Sequence, residues 1–153
     1  MKRYFRDLLI FILALVFSTF ININVDDFFI GTIYTVSGIM FSIGISILVT
    51  FNLHGLRKQS FINNIRFNIN KVRNLFIYYF SLSTFSFIIE RYLRKSENNI
   101  IKIYDDSDFI ISLNLSFVII IVIFYCILYF IFNFLEVQKL NNDIFDKSNE
   151  NHS

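Results

Sequence analysis

Proline and tryptophan are absent from the 153 residues, glycine occurs four times, and cysteine once, at Cys126. Histidine is confined to His54 and His152, and alanine to Ala14. Each shortage removes a class of protein. A single cysteine builds no disulfide scaffold. A chain without proline and nearly without glycine is neither collagen-like nor a flexible linker. One cysteine and two distant histidines do not make the set of three or four ligands that a transition metal requires. There is no glycine-rich phosphate loop, and neither histidine has the nucleophile and orienting group that triad chemistry needs. The chain reads as a non-enzyme with no cofactor. Charge is scarce as well: 17% of residues are charged, against about 25% in a soluble domain.

What the chain has in abundance is bulky and apolar. Hydrophobic residues make up 55%, with 21 Phe and 8 Tyr, and the mean hydropathy is +0.57. So many aromatics exclude disorder. One small membrane domain remains. The net charge of +2 is too small to argue for a nucleic-acid partner by itself, so the positions of the charges matter more.

Those charges divide the chain into uncharged runs at Leu8–Val25, Phe28–Leu53, Asn74–Ile89 and Phe109–Leu135. A spanning helix needs roughly 20 apolar residues. The second and fourth runs exceed this, and the first reaches it with Tyr4 and Phe5. The third is short and carries Ser81, Ser83, Thr84 and Ser86. Snorkelling of Arg91 and Arg94 would add Tyr92 and Leu93 to it; a re-entrant segment is the rival. Lys2, Arg3 and Arg6 before an apolar run mimic a secretory signal, but Ser18-Thr19-Phe20 is a poor cleavage site. The expectation is an uncleaved first helix. The predicted architecture is an all-α membrane protein. It has about four transmembrane helices, near residues 5–25, 28–54, 74–93 and 109–136, and an amphipathic cytoplasmic helix near 57–73. Residues 1–140 form one domain and 141–153 a polar, frayed tail. A symmetric homo-oligomer is expected.

Orientation follows from the 14 cations. Most fall at the N-terminus, between Arg57 and Arg73, or in the tail at Lys139 and Lys147. Arg91, Arg94, Lys95 and Lys102 fall on the other side. Cytoplasmic segments are enriched in Lys and Arg, which predicts a multi-pass protein of the bacterial inner membrane with both termini cytoplasmic. Ile62, Ile65, Ile69, Val72 and Phe76 recur at helical spacing, with Arg66, Asn70 and Arg73 in a polar stripe. This amphipathic helix is expected to run straight into the third span.

Two surfaces carry functional candidates. On the second span, Gly31, Thr35, Gly38, Ser42 and Ser46 share one face, and all are small or hydroxylated. Phe28, Ile33, Met40, Ile47 and Phe51 lie opposite. A small face permits close helix packing within one protomer, or it lines a wet pore or an oligomer axis. Glu90, in line with Tyr79, Ser83 and Ser86, is a further pore candidate as part of a carboxylate ring. The alternative is an ion pair with Arg94, four residues on. The second surface is basic: Arg57, Lys58, Arg66, Lys71 and Arg73, accompanied by Asn70 and five other Asn or Gln. Attraction to anionic lipid explains it at about 1 kcal/mol per cation. The sharper reading is a site for a nucleotide or single-stranded oligonucleotide, with Arg on phosphates, amides on base edges, and Phe61 and Phe67 stacking. The partners expected are thus the bilayer, further copies of the chain, and such a ligand. Asp105, Asp106, Ser107 and Asp108 read as a solvated loop with a helix cap rather than a calcium site. Asn114 is a candidate for an interhelical hydrogen bond.

The stretch TIYTVSGIMFSIGISILVTFNLHGLRK, followed by NNIRFNINKVRNLFIYYF, resembles the small membrane effectors that bacteria encode beside nucleotidyltransferases in antiphage defence. It is most similar to the channel effectors of Hailong-type systems, and more remotely to those of CBASS. The resemblance covers about residues 28–94 and rests on helical layout and on a small-residue span followed by an Arg/Asn helix. It implies an oligomeric ion channel controlled by a nucleotide or oligonucleotide, whose opening depolarises the membrane. It carries over no site residues. No separate sensor domain is recognisable, so sensing falls to loops and helix ends. A holin-like lysis pore and a structural subunit of a membrane complex are the competing readings.

Overall fold

The computed structural model describes residues 2–20, 25–50, 59–96, 100–106 and 109–150, the side chains of 2–6, 20, 61, 102–106, 109–111 and 145–150 excepted. Four helices and one hairpin follow in order: α1 (Lys2–Phe20), α2 (Asp27–Val49), α3 (Gln59–Lys95), β1 (Ile100–Asp106), β2 (Phe109–Asn114) and α4 (Leu115–Glu150). The fold is nearly all helical. Three of the helices hold stretches long and apolar enough to cross a membrane: Asp27–Val49, Ile62–Lys95 and Leu115–Ile144. In α1 the apolar stretch is Asp7–Thr19, about 20 Å at 1.5 Å per residue, short of a core about 30 Å thick. Of the four expected spans, three therefore have the length within the described residues.

The third segment does not fold back on itself. Gln59–Lys95 is one unbroken 37-residue helix, in which the amphipathic stretch and the span are continuous. No glycine or proline interrupts it, and Ile65 and Phe76 are buried on the same side. The fourth helix starts at Leu115 rather than near 109. Residues 109–114 instead pair antiparallel with β1, from Ile100 opposite Asn114 to Asp106 opposite Phe109, with an irregularity between Lys102 and Tyr104. Branched Ile100, Ile101, Ile103, Ile110 and Ile111 suit strands. Asn114 then caps α4: its Oδ1 accepts a hydrogen bond from the backbone N–H of Phe117 at 3.2 Å. At the other end α4 continues to Glu150, through residues expected to fray. Ile144, buried at 4% exposure, still packs there.

Helix α4 is central and touches α1, α2 and α3; α2 also meets α3, and α1 meets β2. The core runs through Leu48, Phe76, Tyr79, Cys126, Tyr129, Phe130 and Val137, with a second group at Ile119, Ile123 and Ile127. Rings bind α2 to α3: Tyr34 stacks on Phe87 at 4.3 Å and Phe41 on Phe80 at 4.2 Å, arrangements that contribute about 0.5–1.5 kcal/mol each beyond burial. At Gly44 the Phe76 ring of α3 lies directly against α2, and an added Cβ would overlap that ring. Lipid gives helices no hydrophobic push together, so such close approach does the holding. Beside it, Ser37 and Ser83 share a buried hydrogen bond of 3.1 Å.

Candidate functional site

The five small residues of α2 are not the face it packs with. Ile30, Ser37, Gly44 and Leu48 are the buried ones. At 3.6 residues per turn the Gly31–Ser46 stripe lies roughly 130° around the helix from them. Thr35, Ser42 and Ser46 are exposed; Gly31 and Gly38 are half-buried, where Arg91 and Phe80 of α3 reach across them. Two open cavities follow this stripe. One, of about 760 Å³, is lined by Asp27, Gly31, Thr35 and Arg91 among others. The next, of about 590 Å³, is lined by Thr35, Gly38, Ser42, Phe41 and Phe80 among others. The hydroxyls are satisfied locally: Thr35 donates to the Gly31 carbonyl at 2.8 Å and Ser42 to the Gly38 carbonyl at 2.9 Å. Such bonding makes a hydroxyl face compatible with a neighbouring helix and does not prevent water from reaching it.

Glu90 lies elsewhere. It is 0% exposed, between α3 and α4, and Arg94 Nε donates to its Oε1 at 2.7 Å while Ser116 Oγ donates at 3.3 Å. This is the ion pair with Arg94 that the spacing offered as the alternative, and within the protomer Glu90 is not at the surface. The physical reason is that burying a carboxylate is costly unless it is paired, and Arg94 and Ser116 supply its partners. Arg94 also donates from Nη1 to the Val25 carbonyl at 2.8 Å. Arg91 pairs with Asp27 at the start of α2 and lies 5.0 Å over the Phe87 ring. Two arginines and two carboxylates thus tie the ends of α2, α3 and α4 together where the hairpin sits. We call this the hairpin end and the opposite one the basic end.

At the basic end, Arg57 and Lys58 lie outside the described residues. Arg66, Asn70, Lys71 and Arg73 are exposed on α3. They do not converge. Asn70 and Lys71 line a cavity of about 770 Å³ with Asp7, Phe67, Asn74, Leu75, Tyr78 and Tyr79. Arg66 is not part of it, and Arg73 turns to Asn74 Oδ1 at 3.5 Å.

Asp7 is the residue that sequence reading missed. Its Oδ2 accepts from Tyr79 Oη at 2.9 Å and its Oδ1 from Tyr125 Oη at 2.7 Å. The network joins α1, α3 and α4, which makes this half-buried carboxylate a functional candidate. Its only sequence signal is a carboxylate directly before an apolar run. A hydrogen bond to a charged group contributes about 1.5–3 kcal/mol, so Tyr125→Phe is expected to reduce stability by about that amount. Unfolding in mixed detergent micelles measures it; an unchanged midpoint would remove Asp7 as the anchor of α1. Among the described residues no three His, Cys, Asp or Glu side chains gather where they could hold a metal ion.

A chain 55% apolar with three helices able to cross a bilayer has what a multi-pass membrane protein requires. No protein-family model matches it, and comparison with curated proteins and with solved structures yields no match.

Proposed function

We propose that the protein is a homo-oligomeric ion channel of the bacterial inner membrane, of the pore-forming effector kind used in antiphage defence, gated by a cytoplasmic anionic ligand such as a nucleotide or oligonucleotide. In this reading the termini are cytoplasmic, α1 lies beside the other three as a fourth crossing, and the stripe Gly31, Thr35, Gly38, Ser42 and Ser46 faces the symmetry axis. The observation that carries it is the division of labour on α2. It packs within the protomer through Ile30, Ser37, Gly44 and Leu48, yet a second face keeps Thr35, Ser42 and Ser46 exposed. Burial in lipid alone favours Leu, Ile and Phe on such a face. A second helix or a water-filled axis accounts for the choice of Gly, Ser and Thr. In a symmetric ring the cations at Arg57, Lys58, Arg66, Lys71 and Arg73 repeat around that axis and add their potentials.

The test is conductance of the purified protein in a planar bilayer, with and without single-stranded oligonucleotide. Ion currents that the oligonucleotide changes are expected. Ser42→Leu, which adds bulk to the uncovered face without touching the packing face, is expected to abolish the current while the protein still extracts and folds. A protein that conducts in no condition, or a Ser42→Leu variant that conducts as before, would sink the proposal.

A further inference from the structure

The cavity at the basic end has a gradient that neither an ion path nor a soluble ligand explains. Its lining follows α3 in order: Phe67, then Asn70, Lys71 and Asn74, then Leu75, Tyr78 and Tyr79, with Asp7 of α1 on the other wall. Past the exposed Phe67 ring come the donors, and Leu75, Tyr78 and Tyr79 follow up to two turns deeper. Depth can be placed from the other end. The polar cluster of Asp27, Arg91 and Arg94 marks one boundary of the bilayer. About 20 residues back from Arg91, or about 30 Å of helix, brings the opposite boundary to Lys71. The amides and the ammonium therefore sit at headgroup depth, and Leu75, Tyr78 and Tyr79 sit among acyl chains.

We infer that this cavity holds a glycerophospholipid of the leaflet at the basic end. The phosphate is received by Lys71 with the Asn70 and Asn74 amides as further donors, and one acyl chain lies against Leu75, Tyr78 and the Tyr79 ring. The volume of about 770 Å³ falls within the roughly 300–1,000 Å³ of small-molecule sites. The charge favours an anionic headgroup, since an ammonium near the membrane surface attracts one. Asp7 does not oppose the chain, because both its oxygens accept tyrosine hydroxyls, and a hydrogen-bonded carboxylate is far less costly beside hydrocarbon than a bare one. Tyr79, buried at 1% exposure, closes the deep end. A lipid there would wedge between α1 and α3.

The absence of tryptophan makes the test direct. Tyr78→Trp places a unique fluorophore in the cavity, and Phe132→Trp, 63% exposed on α4, outside the cavity and nearer the basic end, serves as the reference. Each is reconstituted into phosphatidylcholine vesicles containing increasing dibrominated phosphatidylglycerol, whose bromines quench neighbouring indoles. Half-maximal quenching of Tyr78→Trp is expected at a mole fraction at least threefold below that of Phe132→Trp. With dibrominated phosphatidylcholine as the quencher the difference is expected to shrink. Lys71→Gln, or Asn74→Ala as a second variant, is expected to remove the preference while the Phe132→Trp curve stays in place. Equal curves at the two positions would overturn the inference, as would a preference that survives both variants. So would loss of the preference on adding excess soluble glycerol phosphate, since the site would then belong to a free phosphate. The readout needs no current, so failure of the channel reading and failure of this one are separate results.

Discussion

Replacing Arg94 by methionine is expected to destabilise the bundle by roughly 3–5 kcal/mol, the usual consequence of stranding one member of a buried pair. Glu90 has no exposure, and its Oε1 is held by Arg94 and Ser116. Its Oε2 has no hydrogen-bond partner among the described residues, so little would remain to stabilise the charge once the guanidinium is gone. Arg94 also satisfies the Val25 carbonyl ahead of α2, and that bond would be lost with it. Titration with denaturing detergent, followed by circular dichroism, gives the magnitude. The control is Arg94→Met combined with Glu90→Met. Replacing both charges by apolar side chains of similar volume is often neutral, so the double variant is expected to recover most of the loss. A double variant as unstable as the single one would mean that the pair is not what matters at this end.

Gly44→Val is the second large effect. A Cβ at this position already overlaps Phe76, and Phe76 is packed by Tyr129 and Phe130 at ring distances of 6.1 and 5.1 Å. The ring cannot simply step aside. Overpacking a tight core costs about 1–3 kcal/mol, and the branched side chain here meets a ring enclosed on several sides, so the upper end is expected. The signature is coupling. Phe76→Leu alone should destabilise by opening space, yet in the Gly44→Val background it should restore part of the stability. Strictly additive losses in the four-member cycle would contradict the close approach of α2 and α3 at this point.

Most of the helical layout could be read from where charges are missing, because a charge inside hydrocarbon is expensive and so marks the edges of spans. That logic placed α2, the end of α3 and the body of α4. It failed where a charge is internal to the fold. Asp7 served as the edge of the first apolar run, but its hydroxyl donors come from residues 72 and 118 positions away, which no local periodicity can detect. The hairpin was missed for a related reason. Phe109–Asn114 is apolar enough to extend a span, and a short apolar run does not distinguish strand from helix. The polar stripe Tyr79, Ser83 and Glu90 was visible in the sequence. Its direction, toward the core of the protomer, depends on which face of α3 meets α4. The small face of α2 was equally visible, and sequence alone left its packing partner open, because Ser37 and Gly44 supply a second small pair on a different side.

The unbroken length of α3 has a mechanical consequence. A helix of 37 residues without glycine or proline has no joint, so it moves as a rod. Its tightest bearing is Phe76 against Gly44. About 15 Å of rod lies between Phe76 and Arg66, and about 22 Å between Phe76 and Arg91, at 1.5 Å per residue. A displacement of α3 at the basic end is thus passed along its length to the contacts that join it to α2: Phe80 on Phe41, Ser83 to Ser37, Phe87 on Tyr34 and the Asp27–Arg91 pair. That pair holds the first turn of α2, the helix with the uncovered face. Whatever grips α3 near Arg66 is therefore coupled to the far end of α2.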